Sequence, residues 1–172
     1  MPLVKGGEVV ADRYIRILDD TPVPVDGPVL VPAARFLADA DELTARNAET
    51  GVIWPNSRDI DELAPYLDKL TVVALEFPNF KDGRAYSQAR ILREQYRYQR
   101  ELRATGQVLR DQFVFMLRAG FDSLEVKKDS DAEAFATVIK RYSVFYQPTG
   151  DGRITAFRKR LLNHQLITAS SN

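Results

Sequence analysis

The chain has no cysteine and a single histidine, and each scarcity removes a class of function. Without cysteine there is no disulfide, no thiolate zinc site, no cysteine-held iron–sulfur cluster and no cysteine nucleophile. A redox role would have to belong to a bound cofactor or to a partner. The one histidine, His164, lies in the C-terminal tail, so Ser87 reads as a helix-surface or capping serine rather than a hydrolase nucleophile. No apolar run approaches the ~18 residues of a membrane helix. The first 30 residues, interrupted by Pro22, Pro24 and Pro28, lack the basic-then-apolar pattern of a secretory signal. The expectation is a cytoplasmic protein that binds no membrane. GxGxxG and a P-loop lysine are missing as well, so nucleotide binding by those routes is not indicated.

What is present suits one compact domain: 172 residues, 45% hydrophobic and 28% charged. The net charge is zero but unevenly spread. Residues 1–70 hold 7 Lys or Arg against 13 Asp or Glu, whereas residues 84–118 hold 8 arginines, no lysine and only Glu94, Glu101 and Asp111. Arginine is the better fork for carboxylate, phosphate or sulfate-like oxygens, so the basic run points to an anion or an acidic partner. The alternative is that these arginines line two solvated helices and pair with the acidic first segment.

Hydrophobic periodicity gives an alternating order of elements. Residues 3–18 suggest one or two short strands in an N-terminal β arm, and residues 19–28, crowded with turn formers, a loop. Val29 to Pro32 reads as a buried strand, followed by a helix with Phe36, Ala40 and Leu43 on one face and closed by Gly51. Val52 to Trp54 is a second strand. Asp59 and Glu62 have capping-box spacing ahead of a helix over residues 60–70, with Pro65 predicting a kink or a later start. The central strand covers 71–77, and Ala85, Ala89, Leu92 and Tyr96 stripe the helix after its loop. A strand over 101–105, a helix carrying Leu109, Phe113, Met116 and Leu117 and stopping at Gly120, and a strand over 123–126 follow. A last helix has Ser130 and Glu133 at its start and Phe135, Val138, Ile139 and Tyr142 in its stripe. Residues 143–147 suggest a final strand, 148–152 a turn, and the remainder a basic arm.

About five βα units in succession predict an α/β fold with a parallel sheet, either an incomplete TIM-like barrel or an open layered sheet. The expected layout is a single domain: arm and loop over 1–28, βα core over 29–148, basic C-terminal arm over 149–172. Either sheet gathers residues 76–84, 105–111 and 125–129 at its carboxyl face, where α/β proteins hold ligands. Glu76 and Glu125 at neighbouring strand ends could serve as an acid/base or magnesium pair. Strand alternation equally allows either to face a helix layer, no third carboxylate stands at a telling spacing, and no metal site is assigned. Asp82-Gly83-Arg84 at a helix start could hold an anion. Tyr86, Tyr96 and Tyr98 stand among arginines, yet Tyr96 shares the buried stripe, so nucleic-acid binding ranks low.

The run ALEFPNFKDGRAYSQARILREQY, with ELRATGQVLRDQFVFMLRAGFDSLEV and SVFYQP after it, resembles an uncharacterised bacterial family known as domain of unknown function 934. Its members are often labelled oxidoreductases of sulfite reduction, because their genes commonly lie beside those of assimilatory sulfite reductase and phosphoadenylylsulfate reductase. The resemblance places the family motif on Asp82, Gly83, Arg84, Tyr86, Ser87, Arg90, Arg93, Glu94, Arg103, Gly106, Arg110, Asp111 and Gln112. The family usually has a second glycine where this chain has Ala85 and an aspartate where it has Gln107, so Asp111 would have to replace that carboxylate. The label names no cofactor, and no residue here supplies a redox centre.

Two functions from different classes follow. One is an accessory protein of assimilatory sulfite reduction, docking sulfite reductase or its electron carrier through an arginine-rich face. The other is an enzyme for a small anionic metabolite, with Arg84 and Arg110 clamping the anion and Glu76 or Asp111 as base. The candidate anion or partner contacts are Asp82, Arg84, Tyr86, Arg90, Arg103, Arg110 and Gln112. A duller alternative has Arg84 and Arg110 merely tying loops to the sheet.

Overall fold

In the computed structural model, which describes residues 2–18, 21–79 and 81–141, eight strands form one mixed sheet. They are β1 Leu3–Lys5, β2 Glu8–Val10, β3 Ile15–Arg16, β4 Val29–Pro32, β5 Thr50–Pro55, β6 Leu70–Phe77, β7 Glu101–Gly106 and β8 Ser123–Glu125. The order across the sheet is β2-β1-β8-β7-β6-β5-β4-β3. From β3 to β8 each strand is parallel to the next in sequence. The sheet is nonetheless not purely parallel. The N-terminal hairpin β1–β2, turning at Gly6-Gly7, adds antiparallel to β8 and so belongs to the sheet instead of standing off as an arm.

Connectivity forces this sheet to curl. β2 and β3 lie at opposite edges, seven strand spacings apart, or ~33 Å if the sheet were flat. Only residues 11–14 link them, and five Cα steps reach at most ~18 Å. The edges are therefore drawn together into a curled half-barrel. Arg16 of β3 meets Glu125 of β8 at 2.7 Å across its hollow.

Strand alternation then sorts side chains onto two faces. Val29, Val31, Val52, Trp54, Val73, Leu75, Phe77, Leu102, Ala104 and Leu124 form the outer face and pack in one core with the helices. Those helices are α1 Ala33–Ala38, α2 Ala40–Ala45, α3 Arg84–Glu94, α4 Phe113–Ala119 and α5 Asp129–Arg141. Ala85, Ala89 and Leu92 bury α3's stripe as the periodicity predicts, and Tyr96 lies half-buried beyond the helix end. α4 stops at Gly120, whose φ of 100° gives the left-handed C-terminal residue expected there.

Several elements depart from expectation for local reasons. Phe36, Ala40 and Leu43 are buried, but the helix is broken into α1 and α2 at Asp39, which leaves helical geometry at φ −117° and ψ 26°. Gly51 closes no helix. It lies within β5, and a Cβ there would come within 2.9 Å of Leu30 Cδ1 and 3.1 Å of the Val72 carbonyl. Residues 60–66 form a 3-10 helix containing Pro65, and Leu70 opens β6. Asp59 caps that helix through the Asp61 N–H, while Glu62 turns to Arg58 in place of closing a capping box. At the start of α5 it is Asp131, not Glu133, that reaches back to a backbone N–H, that of Lys128. The expected strand over 143–147, the turn over 148–152 and the basic arm lie outside the described residues. Among the described residues no helix is long and apolar enough to cross a membrane.

Gly106 closes β7 at φ 91°, and a Cβ there would lie 2.5 Å from the Phe77 carbonyl oxygen. Gly83, before α3, would meet only Tyr86 at 3.8 Å. Gly106→Ala should therefore cost at least ~2 kcal/mol, from positive φ and collision together, and Gly83→Ala less than ~0.5 kcal/mol. Urea unfolding of the two variants checks this, and equal midpoints would contradict the tight passage at the end of β7.

Candidate functional site

The inner face of the half-barrel is where polar chemistry collects. Leu30, Ile53, Val72, Ala74 and the ring of Tyr14 make a small apolar floor over β4 to β6. On β7 and β8 the same face carries Glu101, Arg103, Thr105, Ser123 and Glu125, and Glu76 sits beside Thr105 in register. β7 and β8 are apolar at their outward positions and polar at their inward ones, so alternation alone sends their charges inward.

Arg103 anchors the network. Its side chain is 1% exposed. It donates to Asp12 at 2.7 Å and to Glu101 at 2.9 Å, stands 3.6 Å from Glu125, and lies over the Tyr14 ring. Glu101 also accepts from Ser123 at 2.7 Å and from Lys5 at 3.0 Å. Burial pushes the Glu101 carboxyl up, but the Ser123 hydrogen bond and the charges of Arg103 and Lys5 outweigh it and leave its pKa below the ordinary 4.5. At the carboxyl end Glu125 accepts from Thr105 at 2.6 Å and from Arg16 Nη2 at 2.7 and 2.8 Å. Tyr14 donates to Glu49 at 2.6 Å and lies 3.0 Å from the Thr71 hydroxyl. Its hydroxyl pKa is raised, by burial first and then by the Glu49 hydrogen bond.

The residues expected to form the site divide into separate groups. Glu76 is half-buried at the penultimate position of β6 and makes no hydrogen bond or ion pair among the described residues. Glu125 faces the same hollow. Arg103 belongs to this inner face, apart from the helix-borne arginines. Asp82 and Arg84 pair with each other at 2.7 Å at the start of α3. That hydrogen bond, above all, holds the Asp82 carboxyl well below the usual range. Tyr86 is half-buried with its ring 5.0 Å from that of Phe77. Burial, with the charge of Asp111 adding to it, pushes its pKa up to about 12. Asp111 itself is exposed in a 3-10 turn, Arg110–Gln112, whose last residue is half-buried. Arg90 pairs with Glu94 one turn along α3, and Arg110 with Asp131. Arg93 is structural. It donates to the Gly120, Tyr98 and Arg100 carbonyls and to Asp122.

Sequence reasoning missed Asp12, Arg16, Glu101 and Ser123, while Thr105 stood in the stretch it placed at the carboxyl face. For β7 a signal existed: Glu101, Arg103 and Thr105 alternate with Leu102 and Ala104 in a strand that has covered neighbours on both sides. For Asp12 and Arg16 there was none, because their partners lie 91 and 109 residues away.

A family model described as a bacterial protein of unknown function, DUF934, matches residues 51–157. The chain belongs to that family. The matched stretch holds Glu76, Arg103, Thr105 and Glu125 together with the arginines of α3, while Asp12, Tyr14 and Arg16 precede it. A comparison with proteins of curated function returns no match. Among the described residues no group of three or more carboxylates or histidines is placed to hold a metal ion. A cavity of about 570 Å³ lies away from the inner face, between residues 22–26 and α1–α2. Arg46 crosses from α2 to the Pro24 and Gly27 carbonyls there, which makes it a gap under a pinned loop.

The depressed Glu101 pKa has a pH signature. A carboxyl whose folded pKa lies below its unfolded value adds stability that is present above ~4.5 and lost as pH falls through the folded pKa. Glu101→Gln should lower stability at pH 7 and flatten its fall below pH ~4.5. Urea midpoints from pH 7 to pH 3 measure both, and parallel profiles for the two proteins would rule the network out as the source.

Proposed function

We propose that this chain is an enzyme for a small anionic metabolite, held at the carboxyl ends of the inner-face strands with Glu76 as general base. The observation that carries the reading is Glu76 itself: a half-buried carboxylate at a strand end, without a hydrogen-bond partner among the described residues, beside a hydrogen-bonded Thr105 and facing the hollow that Glu125 and Arg16 share. A structural carboxylate in such a place would be paired, as Glu101 and Glu125 are. The scaffold supports the same reading if it is taken as an incomplete TIM-like barrel of about five βα units, since such barrels work at their carboxyl ends. A cytoplasmic setting belongs to this proposal.

Thermal-shift screening of small carboxylates, phosphates and sulfur oxyanions, with turnover of the hits followed by NMR, tests it. Glu76→Gln should keep the wild-type melting temperature within a few degrees and lower turnover by ~10²–10⁴, the usual contribution of a general base. Undiminished turnover in E76Q, or no small-anion hit, would sink the assignment.

A second reading rests on a different observation. Arg84, Arg90 and Arg110 keep 59–62% of their side-chain surface exposed and pair with the nearby carboxylates Asp82, Glu94 and Asp131. Such pairs contribute ~0–1 kcal/mol and re-form readily with an acidic partner. This favours the accessory role in assimilatory sulfite reduction, with sulfite reductase or its electron carrier as the partner. A pull-down from cells growing on sulfate should then recover those proteins at low salt and release them at high salt. Charge reversal of the three arginines should abolish recovery, and capture indifferent to both changes would exclude the reading.

A further inference from the structure

Resting on the metabolite reading, we infer that the substrate's oxyanion is received by Arg16 at the end of β3, and that the substrate also carries a hydroxyl or ammonium group for Glu76. Arg16 uses only Nη2 on Glu125. Its Nε and Nη1 make no hydrogen bond among the described residues, and the side chain is 45% exposed at the mouth of the hollow. That leaves the guanidinium edge a carboxylate, phosphate or sulfonate would need. Arg84 and Arg110 are poorer anchors: Arg84 spends Nε and Nη2 on Asp82, and Arg110 turns to α5, with Nε on Asp131 and Nη2 near the Ser130 carbonyl.

Charge balance supplies the second half. Among the described residues Arg16, Arg103 and Lys5 stand against Asp12, Glu101 and Glu125, three cations to three carboxylates. Glu76 is therefore in excess. A bare anion entering beside it would be repelled, whereas a ligand presenting an oxyanion to Arg16 and a donor to Glu76 satisfies both groups. Thr105 cannot supply the donor, because its hydroxyl proton is given to Glu125. β6 and β8 flank β7, so Glu76 and Glu125 are two strand spacings, ~10 Å, apart at the backbone. A ligand that spans Arg16 and Glu76 would therefore carry its oxyanion and its donor a few atoms apart. The class is a short hydroxy or amino acid, with carboxylate, phosphate or sulfonate as its acidic end.

The probes are propionate, 3-hydroxypropionate and β-alanine, which share a size and differ in the donor, titrated at constant ionic strength into the ¹⁵N-labelled full chain and followed by amide and arginine Nε–H NMR signals. Saturable shifts are expected at residues 15–17, 76–77, 105–106 and 125–126. The two donor-bearing acids should bind at least tenfold more tightly than propionate. Arg16→Gln should weaken all three at least tenfold, Arg16→Lys should weaken them less, and Glu76→Gln should remove the preference over propionate while leaving propionate bound. Amide spectra of the variants check that each remains folded. Wild-type affinity in both Arg16 variants, with inner-face shifts retained, overturns the anchor and leaves the metabolite reading standing. Shifts confined to residues 84–94 and 110–112, or none at any position, overturn both.

Discussion

Five Cα steps from Val10 to Ile15 tie the two edges of one sheet together, and the rest of the structure depends on that short tether. A parallel sheet with helices on one face would otherwise present its second face to water or to a second helix layer. Here the tether curls the sheet until the inner face is enclosed by its own edges and by residues 11–14 crossing it. An enclosed space bounded by strands is lined by every second residue of each strand. The identity of those alternate residues therefore decides whether the space becomes a second core or a polar hollow.

This chain does both, in order across the sheet. β4, β5 and β6 contribute Leu30, Ile53, Val72 and Ala74, while β7 and β8 contribute Glu101, Arg103, Thr105, Ser123 and Glu125. A buried guanidinium is costly to desolvate, and its pairs return that cost only where their geometry satisfies the remaining donors. Arg103 has such geometry, with Asp12 on one Nη, Glu101 on Nε and the other Nη, and an aromatic ring beneath. The balance of such a cluster is close to neutral for stability, but it is stringent about position: a register slip of one residue would put Arg103 into the outer apolar core. The cluster thus fixes the register of β7 against β8 and holds Glu125, and through it Arg16, at the mouth.

The order of strands and helices was legible in the sequence because each outer stripe is a local pattern. Ala85, Ala89 and Leu92 on α3, and the glycine ending α4, can be read within a dozen residues. The break at Asp39 was not legible, since Phe36, Ala40 and Leu43 keep helical spacing through it. Gly51 looked like a helix terminator because glycine has two uses, and only the approach of Leu30 and Val72 shows which applies. Half of the candidate site was visible as Glu76 and Glu125 at strand ends. The other half, Asp12 and Arg16, was hidden because nothing local distinguishes an arginine that will cross a hollow from one that will face water. Curling is a property of the whole path, not of any window of it.

The same distinction reinterprets the arginine run over residues 84–118. In sequence it is one feature, eight cations and no lysine. In space it separates into different roles. Arg103 is an interior cation answering Asp12 from the acidic first segment. Arg93 closes backbone carbonyls where α3, β7 and β8 approach one another. Arg84, Arg90 and Arg110 remain outside with weak partners. Arginine over lysine is explained at the first two positions by the planar fork, which a lysine could not replace. Arg84, Arg90 and Arg110, like the exposed Arg97 and Arg100, retain the choice that recognition of an external anion would explain. A bias in composition is therefore not evidence for one binding surface until the buried members are subtracted, and the hollow, where Glu76 has no partner among the described residues, draws on none of the exposed ones.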